Sequence, residues 1–127
     1  MRIQVLTVGR PRDRALVDLC ETYVRRSGPL FRVSWDAVSA GDPRGSQIPA
    51  RAMAAEGDRL LKRLDPRALT VALDETGKRR TSRELSRWLG DLRDQGRHVQ
   101  LLVGGAFGLA PDVRQRCTAR LSLSPMT

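Results

Sequence analysis

The chain has 127 residues, enough for one domain with a real core but not for two, and the expected organisation is a single domain over 1–127. With 40% apolar and 29% charged residues it reads as a soluble globular chain. No stretch approaches the roughly 20 apolar residues that cross a bilayer. Its opening MRIQVLTVG lacks the features of a signal peptide, so a cytoplasmic protein is expected. Twenty-three basic residues face fourteen acidic ones, a net charge of +9, and only Lys62 and Lys78 are lysines. A small domain this basic implies a polyanion such as nucleic acid as partner.

Ile3 to Val8 is a near-continuous apolar run ended by Gly9, as in a buried parallel strand. Leu16, Leu19, Cys20, Tyr23 and Val24 recur at helical spacing, predicting a helix from Asp13 to Arg26 that Ser27-Gly28-Pro29 stops. Phe31, Val33 and Trp35 alternate with polar residues as a second strand. The glycines and prolines of Ser39–Pro49 mark a loop. A second helix follows, with Met53, Ala54, Leu60, Leu61 and Leu64 assigned to its apolar face. Arg51, Glu56, Asp58, Arg59, Lys62 and Arg63 are assigned to the polar one.

Leu69–Leu73 is a third strand that runs into DETGKRR. Thr81 and Glu84 form a capping-box pattern before an apolar stripe of Leu85, Trp88, Leu89 and Leu92, and Gly96 closes that helix. Val99–Val103 is the fourth strand. Pro111 suits the first position of a short helix, and Arg120–Ser124 is a fifth strand. The order βαβαβαβαβ implies an α/β fold: a five-stranded, mostly parallel sheet with helices on both faces.

In such sheets ligands bind at the carboxyl ends of the strands. Three such ends are informative: Leu73-Asp74-Glu75-Thr76-Gly77, Gly104-Gly105-Ala106-Phe107-Gly108, and Ser122-Leu123-Ser124-Pro125-Met126-Thr127. Glycines after the fourth strand allow close backbone approach to a ligand. A P-loop, a dinucleotide fingerprint and a GxSxG elbow are all absent. His98 is the single histidine and stands at the opposite end of its strand, which predicts a structural or solvated role and leaves no triad or metal cluster. Asp74 or Glu75 could serve as a base or hold a ligand hydroxyl. Solvation or pairing with Lys78, Arg79 or Arg80 accounts for them equally. Phe107 could stack on a base or pack under its loop. The GKRR cluster at 77–80 puts positive charge beside the same edge, which suits an RNA substrate. Cys20 and Cys117 lack metal or redox spacing and are expected to be buried small hydrophobes.

LDETGK after the third strand, LLVGGAFGL at the fourth and RLSLSPMT at the end resemble the RlmH family. These are SPOUT-superfamily ribosomal RNA large-subunit methyltransferases that modify a pseudouridine at N3. MRIQVLTVGR, Tyr23-Val24-Arg25-Arg26 and EGDRLLKRL share the resemblance, which covers essentially the whole chain in order. It implies S-adenosyl-L-methionine as methyl donor and a homodimer that acts on ribosomes. It also implies a cofactor pocket of Leu73, Gly104 and Gly105, with Ser122, Leu123, Ser124 and Met126. No metal is implied, and no residue is marked as a catalytic base. Members of the family continue past the Met-Thr pair with a segment that threads through a loop to form the trefoil knot and closes the pocket. From this sequence the expectation is an unknotted SPOUT-like sheet. The enzyme would be minimal or impaired; the alternative is a non-catalytic RNA- or ribosome-binding remnant.

Overall fold

The computed structural model describes residues 1–126. Nine elements alternate along the chain: β1 (Arg2–Val8), α1 (Arg14–Arg26), β2 (Arg32–Val38), α2 (Pro49–Leu61), β3 (Leu69–Arg79), α3 (Ser82–Asp94), β4 (Val99–Val103), α4 (Pro111–Arg116) and β5 (Ala119–Ser122). The strands form one sheet in the order β2-β1-β4-β3-β5, and every pairing is parallel. The five strands, their direction and the α/β class match the sequence expectation.

Because side chains alternate across a strand, each strand feeds two cores. Leu6, Val38, Ala72 and Leu102 pack with Leu60 of α2 and Val113 of α4 on one face. Ile3, Val71, Val99 and Leu121 pack with Leu92, Leu85 and Trp88 of α3 on the other. α2 and α4 approach closely at Gly57, where an added Cβ would lie 3.1 Å from the Ala110 Cβ. Each helix also ends as its sequence dictates. Asp13 caps α1 through the Ala15 N–H, Pro stands in the first turns of α2 and α4, and Thr81 with Glu84 completes a reciprocal capping box. Gly96 adopts a left-handed φ of 70° just past α3.

At the amino ends of the strands a chain of polar side chains crosses the sheet. The Gln100 amide donates to Gln4 (2.7 Å) and to the Arg63 carbonyl, and Gln4 donates to Asp36 at 2.8 Å. The Asp65 N–H donates to the Gln100 oxygen, so the buried glutamine is bonded at both ends. His98 lies at this same end, where its Nδ1 accepts the Arg2 N–H at 3.0 Å; its role is structural. A one-residue slip of β1 or β4 would break this chain, so it fixes register along with the apolar alternation.

The structure departs from the sequence reading in four places. β3 runs on to Arg79, because Lys78 and Arg79 pair again with Leu121 and Ser122 after an irregularity. β5 ends at Ser122, where the Ser122 hydroxyl donates to the Ser124 carbonyl and the chain turns. Glu56 is buried and Ala54 exposed, because Glu56 follows Met53 by three residues and precedes Leu60 by four, on the inward face of α2. Cys20 is exposed, not buried: no residue of α1 is buried, and Leu16, Leu19 and Tyr23 are each more than half exposed. α1 touches the sheet mainly along β2 and leaves an apolar groove of about 740 Å³, walled by Val5, Tyr23, Val24, Val33, Trp35 and Val103.

The two thiols therefore differ. Burial raises the pKa of Cys117, with Arg120 and Thr70 only partly opposing it, whereas Cys20 faces solvent. An aromatic disulfide reagent is expected to modify one thiol quickly in the native protein and the second only on unfolding. Cys20→Ser should remove the fast phase.

Candidate functional site

The start of β3's irregular stretch, the segments after β4 and β5, and side chains of α2 and α4 surround a cavity of about 500 Å³. β3 contributes Leu73, Asp74 and Glu75, and the segment after β4 contributes residues 104–109. Met53, Arg114 and Leu123 complete the wall. Of the residues anticipated as cofactor-binding, the structure brings Leu73, Gly104, Gly105 and Leu123 together here. Ser122 is buried at the end of β5, and Ser124 and the exposed Met126 belong to the following turn, where the Met126 N–H donates to the Ser124 hydroxyl. None of these three lines the cavity, and Thr127 lies outside the described residues.

The glycine loop is braced by the protein itself. Ala106 and Phe107 span a tight turn closed by the Gly108 N–H to the Gly105 carbonyl at 3.0 Å, with Gly108 at φ 84°. A Cβ on Gly104 would stand 2.5 Å from the Gly108 carbonyl carbon. A Cβ on Gly105 would stand 2.6 Å from a carboxylate oxygen of Glu56. Gly104 therefore needs glycine for internal packing, whatever a ligand requires, whereas at Gly105 the obstacle is the Glu56 carboxylate. Phe107 is half exposed at the tip of the turn rather than packed under it.

Glu56 is the residue that sequence reasoning placed on the wrong face. Its carboxylate lies under Gly105 and also accepts the Gly41 N–H at 3.4 Å. One turn along α2, Arg59 donates to the Ser39 and Gly41 carbonyls at 2.7 and 2.8 Å. α2 thus ties the start of the 39–49 loop to the glycine turn. The signal was present in the Met53–Glu56–Leu60 spacing.

Asp74 opens the irregular segment of β3. Its carboxylate accepts the Thr76 N–H (3.2 Å) and hydroxyl (3.0 Å) and pairs with Arg114 at 3.5 Å. Desolvation works against its ionisation, but the Thr76 bonds and the Arg114 guanidinium outweigh it and hold its pKa below the ordinary 3.8. Asp74 is thus an ionised carboxylate at neutral pH, and Arg114 is a wall residue the sequence did not single out. Gly77 closes the segment. A Cβ there would lie 2.7 Å from the Leu121 N, so only glycine lets β3 rejoin β5. Among the described residues no group of three or more His, Cys, Asp or Glu could hold a metal ion, and no helix is long and apolar enough to cross a membrane.

Comparison with known proteins gives the family. The family described as predicted SPOUT methyltransferase matches residues 1–127. The chain belongs to the SPOUT methyltransferase family. Relatives within it include the ribosomal RNA large subunit methyltransferase H of Gemmatimonas aurantiaca, 36% identical across 100% of this chain and 82% of the relative. The protein of the same name from Gluconacetobacter diazotrophicus is 41% identical across 98% and 78%. That of Hyphomonas neptunium is 37% identical across 100% and 81%. As a SPOUT methyltransferase, the chain carries its cavity at the strand ends where parallel α/β sheets place ligands.

Gly104→Ala meets backbone and is expected to destabilise by about 2–3 kcal/mol, the upper part of the range for overpacking. Gly105→Ala meets a side chain, so its cost should shrink when Glu56 is also truncated to Ala; a denaturant double-mutant cycle reads the coupling. For Asp74, the lowered pKa means that its ionised form stabilises the fold above pH 3.8, a contribution lost as pH falls through the folded value. Asp74→Asn should cost about 1–2 kcal/mol at neutral pH. The difference between variant and parent should narrow as urea titrations move below pH 3.8.

Proposed function

We propose that this chain transfers a methyl group from S-adenosyl-L-methionine to N3 of a pseudouridine in large-subunit ribosomal RNA, as a cytoplasmic homodimer of single-domain subunits. The observation that carries the reading is the convergence of Leu73, Gly104, Gly105 and Leu123 on one cavity in a chain of this family. The relatives' name, ribosomal RNA large subunit methyltransferase H, supports the substrate. Half-exposed Leu16, Leu19 and Tyr23 on α1 support a dimer, since an apolar helix face of this kind is covered in most stable assemblies.

The cavity suits the cofactor in size and chemistry. About 500 Å³ falls within the range of small-molecule sites, and the wall mixes Met53, Leu73, Leu109 and Leu123 with exposed backbone of the glycine turn. When bound, S-adenosyl-L-methionine supplies an electrophilic methyl on a sulfonium, whose positive charge suits a site bearing the carboxylates of Asp74 and Glu75. Leu73 on β3 and Leu123 just past β5 would hold the cofactor through apolar contact, while Ser122, Ser124 and Met126 shape the adjoining turn. Arg114 holds Asp74 in place. The bound cofactor would supply the methyl group, and the proton that the acceptor nitrogen loses would pass to solvent water. Alignment of donor and acceptor is what the protein contributes, so neither a covalent nucleophile nor a metal is required.

Titration calorimetry of the purified chain with S-adenosyl-L-methionine tests the reading, with mass measured by light scattering on the same sample. Micromolar binding that Leu73→Lys abolishes, and methyl transfer to ribosomes lacking the modification, are expected. A folded chain that binds no cofactor at millimolar concentration would overturn the enzyme reading in favour of a non-catalytic RNA-binding protein.

A further inference from the structure

We propose that Arg114 is the carboxylate-binding residue of the cavity and seats the α-carboxylate of the cofactor's amino-acid part. The inference rests on the S-adenosyl-L-methionine reading and adds to it the residue that tells this ligand from one of like shape without that charge. Among the described residues three charged side chains line the cavity: Asp74 and Glu75 of β3 and Arg114 of α4. Every other wall residue is apolar or glycine, so these three set the charge pattern that a ligand meets. Glu56 lies behind Gly105 and is not part of the wall, and neither are Asp112 and Arg116, the other charged residues near Arg114 on α4.

Asp74 fixes where the guanidinium stands. Arg114 Nη1 reaches the Asp74 carboxylate at 3.5 Å, and Asp74 is itself a wall residue, so the head group and not only its stem is at the cavity. That single long contact occupies one of the five N–H donors of the guanidinium. The others have no protein partner among the described residues, and 34% of the side chain is accessible. Asp74 does not depend on Arg114 alone, because its carboxylate also accepts the Thr76 N–H and hydroxyl at 3.2 and 3.0 Å. The guanidinium can therefore keep Asp74 on one edge and offer its remaining donors to a second carboxylate, the group that its planar fork matches. Two anions and one cation on the wall mirror a ligand that carries a sulfonium, an ammonium and a carboxylate. A cation beside Asp74 and Glu75 weakens the site for a purely cationic ligand, whereas for an amino-acid group it supplies the missing counter-charge.

The test is a two-by-two calorimetric cycle. The parent chain and Arg114→Gln are each titrated with S-adenosyl-L-methionine and with its decarboxylated form, which lacks only the carboxylate, and circular dichroism follows the folding of the variant. The parent is expected to bind the complete cofactor at least about tenfold more tightly than the decarboxylated form, the size of one charge-assisted hydrogen bond. R114Q should lose that factor for the complete cofactor, yet bind the decarboxylated form as tightly as the parent does or more tightly. Arg114→Lys, which keeps the charge without the fork, should restore part of the preference. Equal affinity of the parent for the two ligands would overturn the assignment, and so would a folded R114Q that weakens both alike, since that marks Arg114 as a brace for Asp74 only. Either result leaves the methyltransferase reading in place. The parent's own preference needs no variant, so the assignment remains open to refutation even where R114Q does not fold. A folded parent that binds neither ligand at millimolar concentration would overturn the methyltransferase reading, and the assignment with it.

Discussion

Gly104 approaches Gly108 and Leu109 so closely that a single added carbon would overlap backbone, and the architecture of the site follows from that contact. It folds the end of β4 back on itself and delivers the chain to Pro111 at the start of α4. α4 can then pack Val113 into the core beside Leu60 of α2, and Arg114 comes within reach of Asp74. The turn also brings Gly105 onto the Glu56 carboxylate, so α2, the 39–42 loop and the glycine turn become one connected unit. Were the turn to open, the cavity would lose the wall that residues 104–109 supply.

A second close approach works in concert with the first. Gly77 against the β5 backbone lets β3 leave the ladder at Asp74 and rejoin it at Lys78. Asp74 and Glu75, within that interval, supply carboxylates to the cavity. Opposite charges are thereby separated along one strand: Asp74 and Glu75 line the cavity, and Lys78 and Arg79 lie beyond it. In both close approaches glycine serves internal packing, and the geometry of the site is a product of that packing.

The sequence carried the framework far because its signals are local. Continuous apolar runs at Ile3–Val8 and Val99–Val103 mark strands buried on both faces, and Thr81 with Glu84 marks a helix start, each within a few residues. The strand-end rule then singled out three segments, and the family resemblance named Leu73, Gly104, Gly105 and Leu123 within them. Where the reading departed from the structure, the deciding partner was distant in sequence. Glu56 faces inward because Gly105 and Gly41 leave room for a carboxylate there. Cys20 is exposed because α1 rests on β2 and leaves open the groove that Cys20 lines. The extension of β3 depends on Leu121 and Ser122, more than forty residues away.

By itself, then, the sequence determined the alternation of strands and helices, their parallel arrangement, the basic character of the surface and the strand ends that carry the site. These depend on periodicity, capping and composition, which are properties of neighbouring residues. Only the tertiary structure decided the strand order, the closed glycine turn on its buried glutamate, the Asp74–Arg114 pair and the ordered return of β3 that carries the basic residues out past the cavity. Each of those requires segments far apart in the chain to meet at van der Waals or hydrogen-bond distance, and no local pattern encodes that meeting.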